Sequence, residues 1–142
     1  MTSNRYYLDT NMLVFALFDR GEISSPVASI IKDTSNYLYT SSIAAQELVL
    51  LFRIGKLNTL KKGCKTEKDI LAEMKSAGVE IVYFNQHHFS TYASLRIVDG
   101  HKDMNDHAII AQAISDKIPV ISSDGKFNEY TKQGLKFVFN KR

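Results

Sequence analysis

Five short runs rich in aromatic and β-branched residues, separated by stretches of helical character, constrain this chain more than any other feature. The runs are Tyr6 to Asp9, Tyr37 to Thr40, Glu80 to Phe84, Ile118 to Ser122 and Leu135 to Phe139. The helical stretches are Asn11 to Phe18, Pro26 to about Asp33, Ile43 to Ile54, Thr66 to Ser76, Gln86 to Val98 and Asp106 to Lys117, with a helical turn from Asp124 to Tyr130. Their signals are local. Ser24 or Ser25 caps a helix with Pro26 at its start, Thr66 and Asp69 form a capping-box pair, and Gly55 and Gly78 end helices. The stretch from Lys56 to Asp69 is read as a helical connection with a loop near Gly63. Strands joined by crossover helices pair in parallel. The expected fold is therefore α/β, a mostly parallel sheet of about five strands flanked by helices. With 142 residues, the chain fits one domain, 1–142.

The first strand ends on an acid. Tyr6, Tyr7 and Leu8 lead to Asp9, and Thr10 and Asn11 then enter a helix. Open α/β sheets place ligands beyond the C-terminal ends of their strands, so Asp9 stands where a ligand would. Its meaning depends on whether other carboxylates reach it.

Glu47 is the second such acid. At about 100° per residue, Ile43, Ala44, Leu50, Leu51 and Ile54 all fall within roughly 60° of it. A carboxylate at the centre of an apolar face is costly unless it is neutralised, paired or bound to a metal. Capping does not explain it, because three residues beyond Ser41 or Ser42 stand Ala44 and Ala45. Asp106 opens the next candidate helix, with Ile109, Ile110 and Ala113 on its side. Residue by residue it reads either as a helix cap or as a ligand. Asp103, three residues earlier, reads as a solvated loop acid or an assisting one. Asp124 follows the apolar strand at Pro119 to Ser123 and reads as an Asp-Gly turn or a second strand-end ligand.

The four positions have more meaning together. In a parallel sheet Asp9, Glu47, Asp106 and Asp124 map to one edge. Carboxylates gathered there are stable only with protons or cations to compensate them. Oxygen donors without thiolates favour Mg²⁺ or Mn²⁺. Metal-assisted hydrolysis of a phosphodiester suits such a cluster.

Composition narrows the alternatives. The net charge of +3 permits an anionic partner without demanding one. One cysteine, Cys64, excludes an internal disulfide and a cysteine metal cluster and fits a reducing, cytoplasmic setting. No apolar run approaches the roughly 20 residues of a membrane span, and no signal peptide is read at the N-terminus.

These residues resemble a PIN domain, and more closely the VapC-type toxin ribonucleases of toxin–antitoxin systems. The resemblance runs through Leu8-Asp9-Thr10-Asn11, Glu47 in Ser42 to Leu48, Asp106-His-Ala-Ile-Ile-Ala-Gln-Ala113, and Ser122-Ser-Asp124. It implies a three-layer, Rossmann-like sheet with an acidic site holding Mg²⁺ or Mn²⁺, and endonucleolytic cleavage of RNA. Asp9, Glu47, Asp106 and Asp124 carry over as catalytic, metal-binding acids. Asn11 and Ser122 carry over as supporting polar residues, with Asp103 as a further candidate, and Thr10-Asn11 is expected to complete the Asp9 site as well as start its helix. The resemblance also implies an RNA substrate, a cognate antitoxin and a homodimer, with Leu48 to Cys64 as the partner-contacting region. A housekeeping PIN nuclease and a catalytically silent binding module are the alternatives, and the intact quartet argues against the latter. An aspartyl phosphatase would call for Asp-x-Asp, which Asp9-Thr10-Asn11 lacks.

The remaining candidates read plainly. His87, His88, His101 and His107 are expected on the surface, with contact to substrate as the alternative for His101 and His107 beside Asp106, and none is assigned as a general base. Phe89, Tyr92 and Leu95 are expected to face inward from their helix, and Tyr83, Phe84 and Phe137 to alternate like strand core. The lysines between Lys56 and Lys68, with those toward the C-terminus, read either as a surface that attracts a phosphate backbone or as an ordinary solvated surface.

Overall fold

The computed structural model describes residues 4–57 and 63–142. The expected connection through Lys61 and Lys62 lies outside them. Strands β1 (Asn4–Leu8), β2 (Asn36–Ser41), β3 (Val79–Val82), β4 (Val120–Ser122) and β5 (Phe137–Phe139) form one sheet in the order β3-β2-β1-β4-β5. Every neighbouring pair is parallel. The helices are α1 (Thr10–Phe18), α2 (Ser25–Lys32), α3 (Ser42–Arg53), α4 (Glu67–Ser76), α5 (Gln86–Ser94) and α6 (Met104–Asp116), with 3₁₀ segments at Arg20–Glu22 and Gly125–Gln133.

Alternation along β1 separates the two faces of the sheet. Leu8 packs with Met12, Leu13, Leu17, Leu48 and Ile70. Its neighbour Tyr7 packs on the other face with Ile109, Ile110, Phe127 and Tyr130. Each of these larger apolar side chains is almost wholly buried, contributing roughly 1.5–3 kcal/mol apiece. The result is three layers, with β1 central and covered on both sides.

Several local expectations need correction. Helix α1 is capped by Asp9, whose Oδ1 accepts from the Met12 N–H at 2.9 Å, rather than by Thr10 or Asn11. Helix α5 stops at Ser94 instead of Val98. The Arg96 N–H and C=O bond the Gln133 side chain, and the Val98 N–H donates to the Tyr130 hydroxyl. Those contacts hold residues 96–98 against the 3₁₀ segment. The fully buried residue of α5 is His88, whereas Phe89 is exposed; Tyr92 is half-buried and Leu95 packs against the core as expected. Strand β3 ends at Val82, which leaves Tyr83 exposed beyond it.

The histidines depart furthest from expectation. His88, His101 and His107 are all buried. His88 Nδ1 accepts from the Asn85 N–H in a capping box, so its Nε2–H donates to Asp116 at the end of α6. The Tyr7 hydroxyl donates to that same carboxylate. A polar pin thus joins β1, α5 and α6, and it explains how a buried imidazole is tolerated.

Strand order reverses between β1 and β4. Chain connections diverge there and leave a crevice beyond the strand ends. Asp9 follows β1 directly, and Asp124 lies two residues past the end of β4.

Candidate active site

Asp9 is 4% exposed. One oxygen caps α1, and the Ser122 hydroxyl also hydrogen-bonds the carboxyl. Burial nevertheless pushes its pKa up to about 7, reinforced by the charges of Asp106 and Asp124. Ser122 is fully buried, and its Oγ accepts the Asp124 N–H at 3.0 Å. This one hydroxyl therefore ties the acid after β1 to the acid after β4. Asp124 Oδ1 in turn accepts the Lys126 N–H at 2.9 Å and caps the 3₁₀ segment.

Asp106 lies in the first turn of α6 but does not cap it. The cap is Asp103, whose Oδ1 accepts the Asn105 and Asp106 N–H groups at 2.9 and 3.2 Å. The loop acid is thus structural, and Asp106 is free to face the crevice. Its pKa is pushed up to about 6, first by burial and then by Asp103 and Asp124, against a lowering hydrogen bond from His101. His101, Asp106 and Asp124 bring ligand-type atoms within 4.8 Å of one another. Two carboxylates at that separation repel by about 3.5 kcal/mol at an effective dielectric of about 20.

Glu47 approaches from α3. The Thr10 hydroxyl donates to its Oε1 at 2.9 Å, and the Asn105 amide donates to the same oxygen at 3.3 Å. Glu47 is therefore linked to Asp9 through the adjacent Thr10 and to Asp106 through the adjacent Asn105. The apolar face read around it is only partly core: Ala44 is buried and Ile43 packs beside it, whereas Leu50 and Ile54 are each 53% exposed. Its uncovered part borders a cleft of about 430 Å³ lined by Ile43, Gln46, Glu47, Val49, Leu50, Arg53 and Asn105. Asn11 is exposed and, among the described residues, hydrogen-bonds none of the acids.

All four sequence-predicted acids thus border one crevice, three in mutual electrostatic contact and Glu47 through polar intermediaries. Thr10 stands in the site as the sequence suggested, Asn105 is an addition that no local pattern announced, and the burial of His101 is a second. Their partners lie 37, 58 and 29 residues away, the last being the bond from His101 to Tyr130. The donors are carboxylate oxygens, suited to a hard divalent cation. Burial and mutual repulsion hold Asp9 and Asp106 near neutrality in pKa, the condition that such a cation relieves. The residues fit a Mg²⁺ or Mn²⁺ site.

Comparison with known proteins agrees with this fold. The family model described as the PIN domain matches residues 6–133. No curated protein matches the chain. Among solved structures, it is similar to VapBC2 of Rickettsia felis bound to a promoter DNA fragment, with 20% identity over 96% of this chain and 99% of that one, at a TM-score of 0.66. It is also similar to DNA-bound VapBC of Salmonella typhimurium, at 17% identity, 96% and 98% coverage and a TM-score of 0.65. The third is VapBC-5 of the VapBC toxin–antitoxin family from Mycobacterium tuberculosis, at 21% identity, 95% and 98% coverage and a TM-score of 0.57.

Proposed function

The chain belongs to the PIN-domain family, whose members are nucleases, and from that premise we propose that it is a Mg²⁺- or Mn²⁺-dependent endoribonuclease acting as the toxin of a toxin–antitoxin pair. The observation that carries this reading is the junction of Asp9, Asp106 and Asp124 at the sheet's switch point, with Glu47 joined through Thr10 and Asn105. The match over residues 6–133 supports a single PIN domain across the chain.

Asp9, Glu47, Asp106 and Asp124 would hold the cation. When bound, Mg²⁺ or Mn²⁺ lowers the pKa of attacking water and neutralises charge on the phosphate and leaving oxygen. The chain's own residues prepare the place for it. Ser122 fixes Asp9 relative to Asp124, and Thr10 orients Glu47. Asp103 sets the first turn of α6 and with it Asp106. Attack by water with departure of the 3′ oxygen leaves 5′-phosphate and 3′-hydroxyl ends.

An antitoxin partner is supported by the VapBC complexes among the structural neighbours. The cleft beside Glu47, with exposed Leu50 and Arg53, offers a surface on which such a partner would control access. A homodimer in the cytoplasm completes the proposal. Among the described residues, no helix is long and apolar enough to cross a membrane.

The test is cleavage of end-labelled single-stranded RNA by the intact chain in Mg²⁺ or Mn²⁺, beside Asp9→Asn and Glu47→Gln. Cleavage that needs the metal and drops at least about a hundredfold in either variant is expected. Equal cleavage by the variants, or in excess EDTA, would overturn the reading. Growth arrest on expression of the chain, absent with Asp9→Asn, separates a toxin from a housekeeping nuclease.

A further inference from the structure

His101, Asp106 and Asp124 cluster as a three-residue cation site would, yet the hydrogen bonds around His101 give it a different part. The Tyr130 oxygen accepts the Val98 N–H at 3.1 Å and stands 2.8 Å from His101 Nδ1. Among the described residues that ring nitrogen is the hydroxyl's one acceptor, so its proton points to Nδ1. The neutral ring then carries its proton on Nε2. Nε2 lies 3.2 Å from Asp106 Oδ2. A protonated ring would also present Nε2–H to Asp106, so the contact does not depend on ionisation. A nitrogen bearing a proton has no lone pair for a cation.

From the reading of this rim as a cation site, we infer that His101, its tautomer set by Tyr130, is a positioning residue that holds Asp106 by one carboxylate oxygen and is not itself a ligand. The surroundings of the ring support a fixed orientation. His101 is 3% exposed and Tyr130 fully buried. The His107 ring stands edge-on at 4.7 Å, and Phe127 and Tyr130 enclose the remainder at 6.2 and 5.4 Å. The backbone is pinned as well. The His101 N–H donates to the Val98 carbonyl at 3.0 Å, and the His101 carbonyl accepts from His107 Nε2 at 2.8 Å. Gly100, at φ +82°, supplies the left-handed turn that brings His101 into place. Holding Oδ2 leaves Oδ1 as the Asp106 oxygen available to a cation. Side chains that orient a ligand in this manner are worth about 10–100-fold in metal affinity.

Two measurements on the intact chain decide it. Long-range ¹H–¹⁵N spectra of the histidine rings report which nitrogen of His101 carries the proton. The Nε2–H form is expected without metal and unchanged in excess Mg²⁺, whereas an Nδ1–H form in either condition overturns the inference. Calorimetric Mn²⁺ titration gives the second readout. His101→Leu is expected to weaken binding about 10–100-fold. His101→Gln, which keeps an N–H donor near the Nε2 position, should stay within about threefold of the unaltered chain, and Tyr130→Phe should fall between. A folded His101→Gln as weak as His101→Leu contradicts the positioning role. Failure of the unaltered chain to bind Mn²⁺ would instead sink the proposed function, and the metal-free spectra would still decide the His101–Asp106 contact.

Discussion

One oxygen of Asp9 closes the first turn of α1 while the same carboxyl sits in a place hostile to charge. Its pKa, pushed up to about 7 from 3.8, makes the metal-free protein pH-sensitive in a definite direction. Between those values the native state holds more protons than the unfolded one, so stability falls as pH rises. The penalty is absent below about pH 4 and complete above about pH 7. Asp9→Asn keeps an oxygen for Met12 and removes the charge. It should stabilise the metal-free protein at pH 8 by on the order of 1–2 kcal/mol, or roughly 3–8 °C in Tm. The difference should vanish at pH 4, and thermal melts at the two pH values check both. A second prediction concerns Thr10, whose hydroxyl meets Glu47 at 2.9 Å. Thr10→Val should weaken Mn²⁺ binding by about tenfold with the fold intact, as read by titration calorimetry. The four acids were legible in the sequence because Asp9, Asp106 and Asp124 stand beside a strand end or helix start and Glu47 interrupts the apolar face of its helix. Asn105 and the buried seat of His101 were not, because each is defined by a partner distant in sequence, and nothing local distinguishes a buried histidine from an exposed one.

At the scale of elements, the start of α6 decides how Asp106 is presented. Asp103 accepts two N–H groups there, and an N-cap of this kind contributes about 1 kcal/mol. Asp103→Ala should lose about that much stability by chemical denaturation and weaken metal binding by letting the first turn fray. Asp103→Asn retains the cap and should keep both, whereas a ligand role would make it fail like Ala. The polar pin between α5 and α6 gives a fourth prediction. His88 is 1% exposed and shares the Asp116 carboxylate with Tyr7. His88→Ala should cost about 2–4 kcal/mol, from the cavity, the unpaired Asn85 N–H and the lost donor to Asp116 together, with Mn²⁺ affinity in the surviving folded protein unchanged. Strand and helix identities were readable from periodicity and caps. The ends of α5 and β3 were not, because contacts from Gln133 and Tyr130 override the local pattern after Ser94. The wheel around Glu47 located an apolar face correctly but could not tell core from open cleft, since a helix has no record of what covers it.

The whole molecule reduces to a parallel sheet whose order reverses beside its central strand. The acids follow from that topology. One ends β1, one follows β4, one opens α6, and α3 brings the fourth across the crevice. Alternating strands and helices made the parallel sheet foreseeable, and the strand-end positions placed the acids on one rim before any contact was known. The most direct test of the central claim is titration of the intact, metal-free chain with Mn²⁺ by calorimetry, beside Asp9→Asn, Asp106→Asn and Asp124→Asn. Saturable binding to the unaltered chain, weakened at least about tenfold in each variant that keeps its fold, is the predicted result. Binding of equal strength in all four proteins would contradict the account.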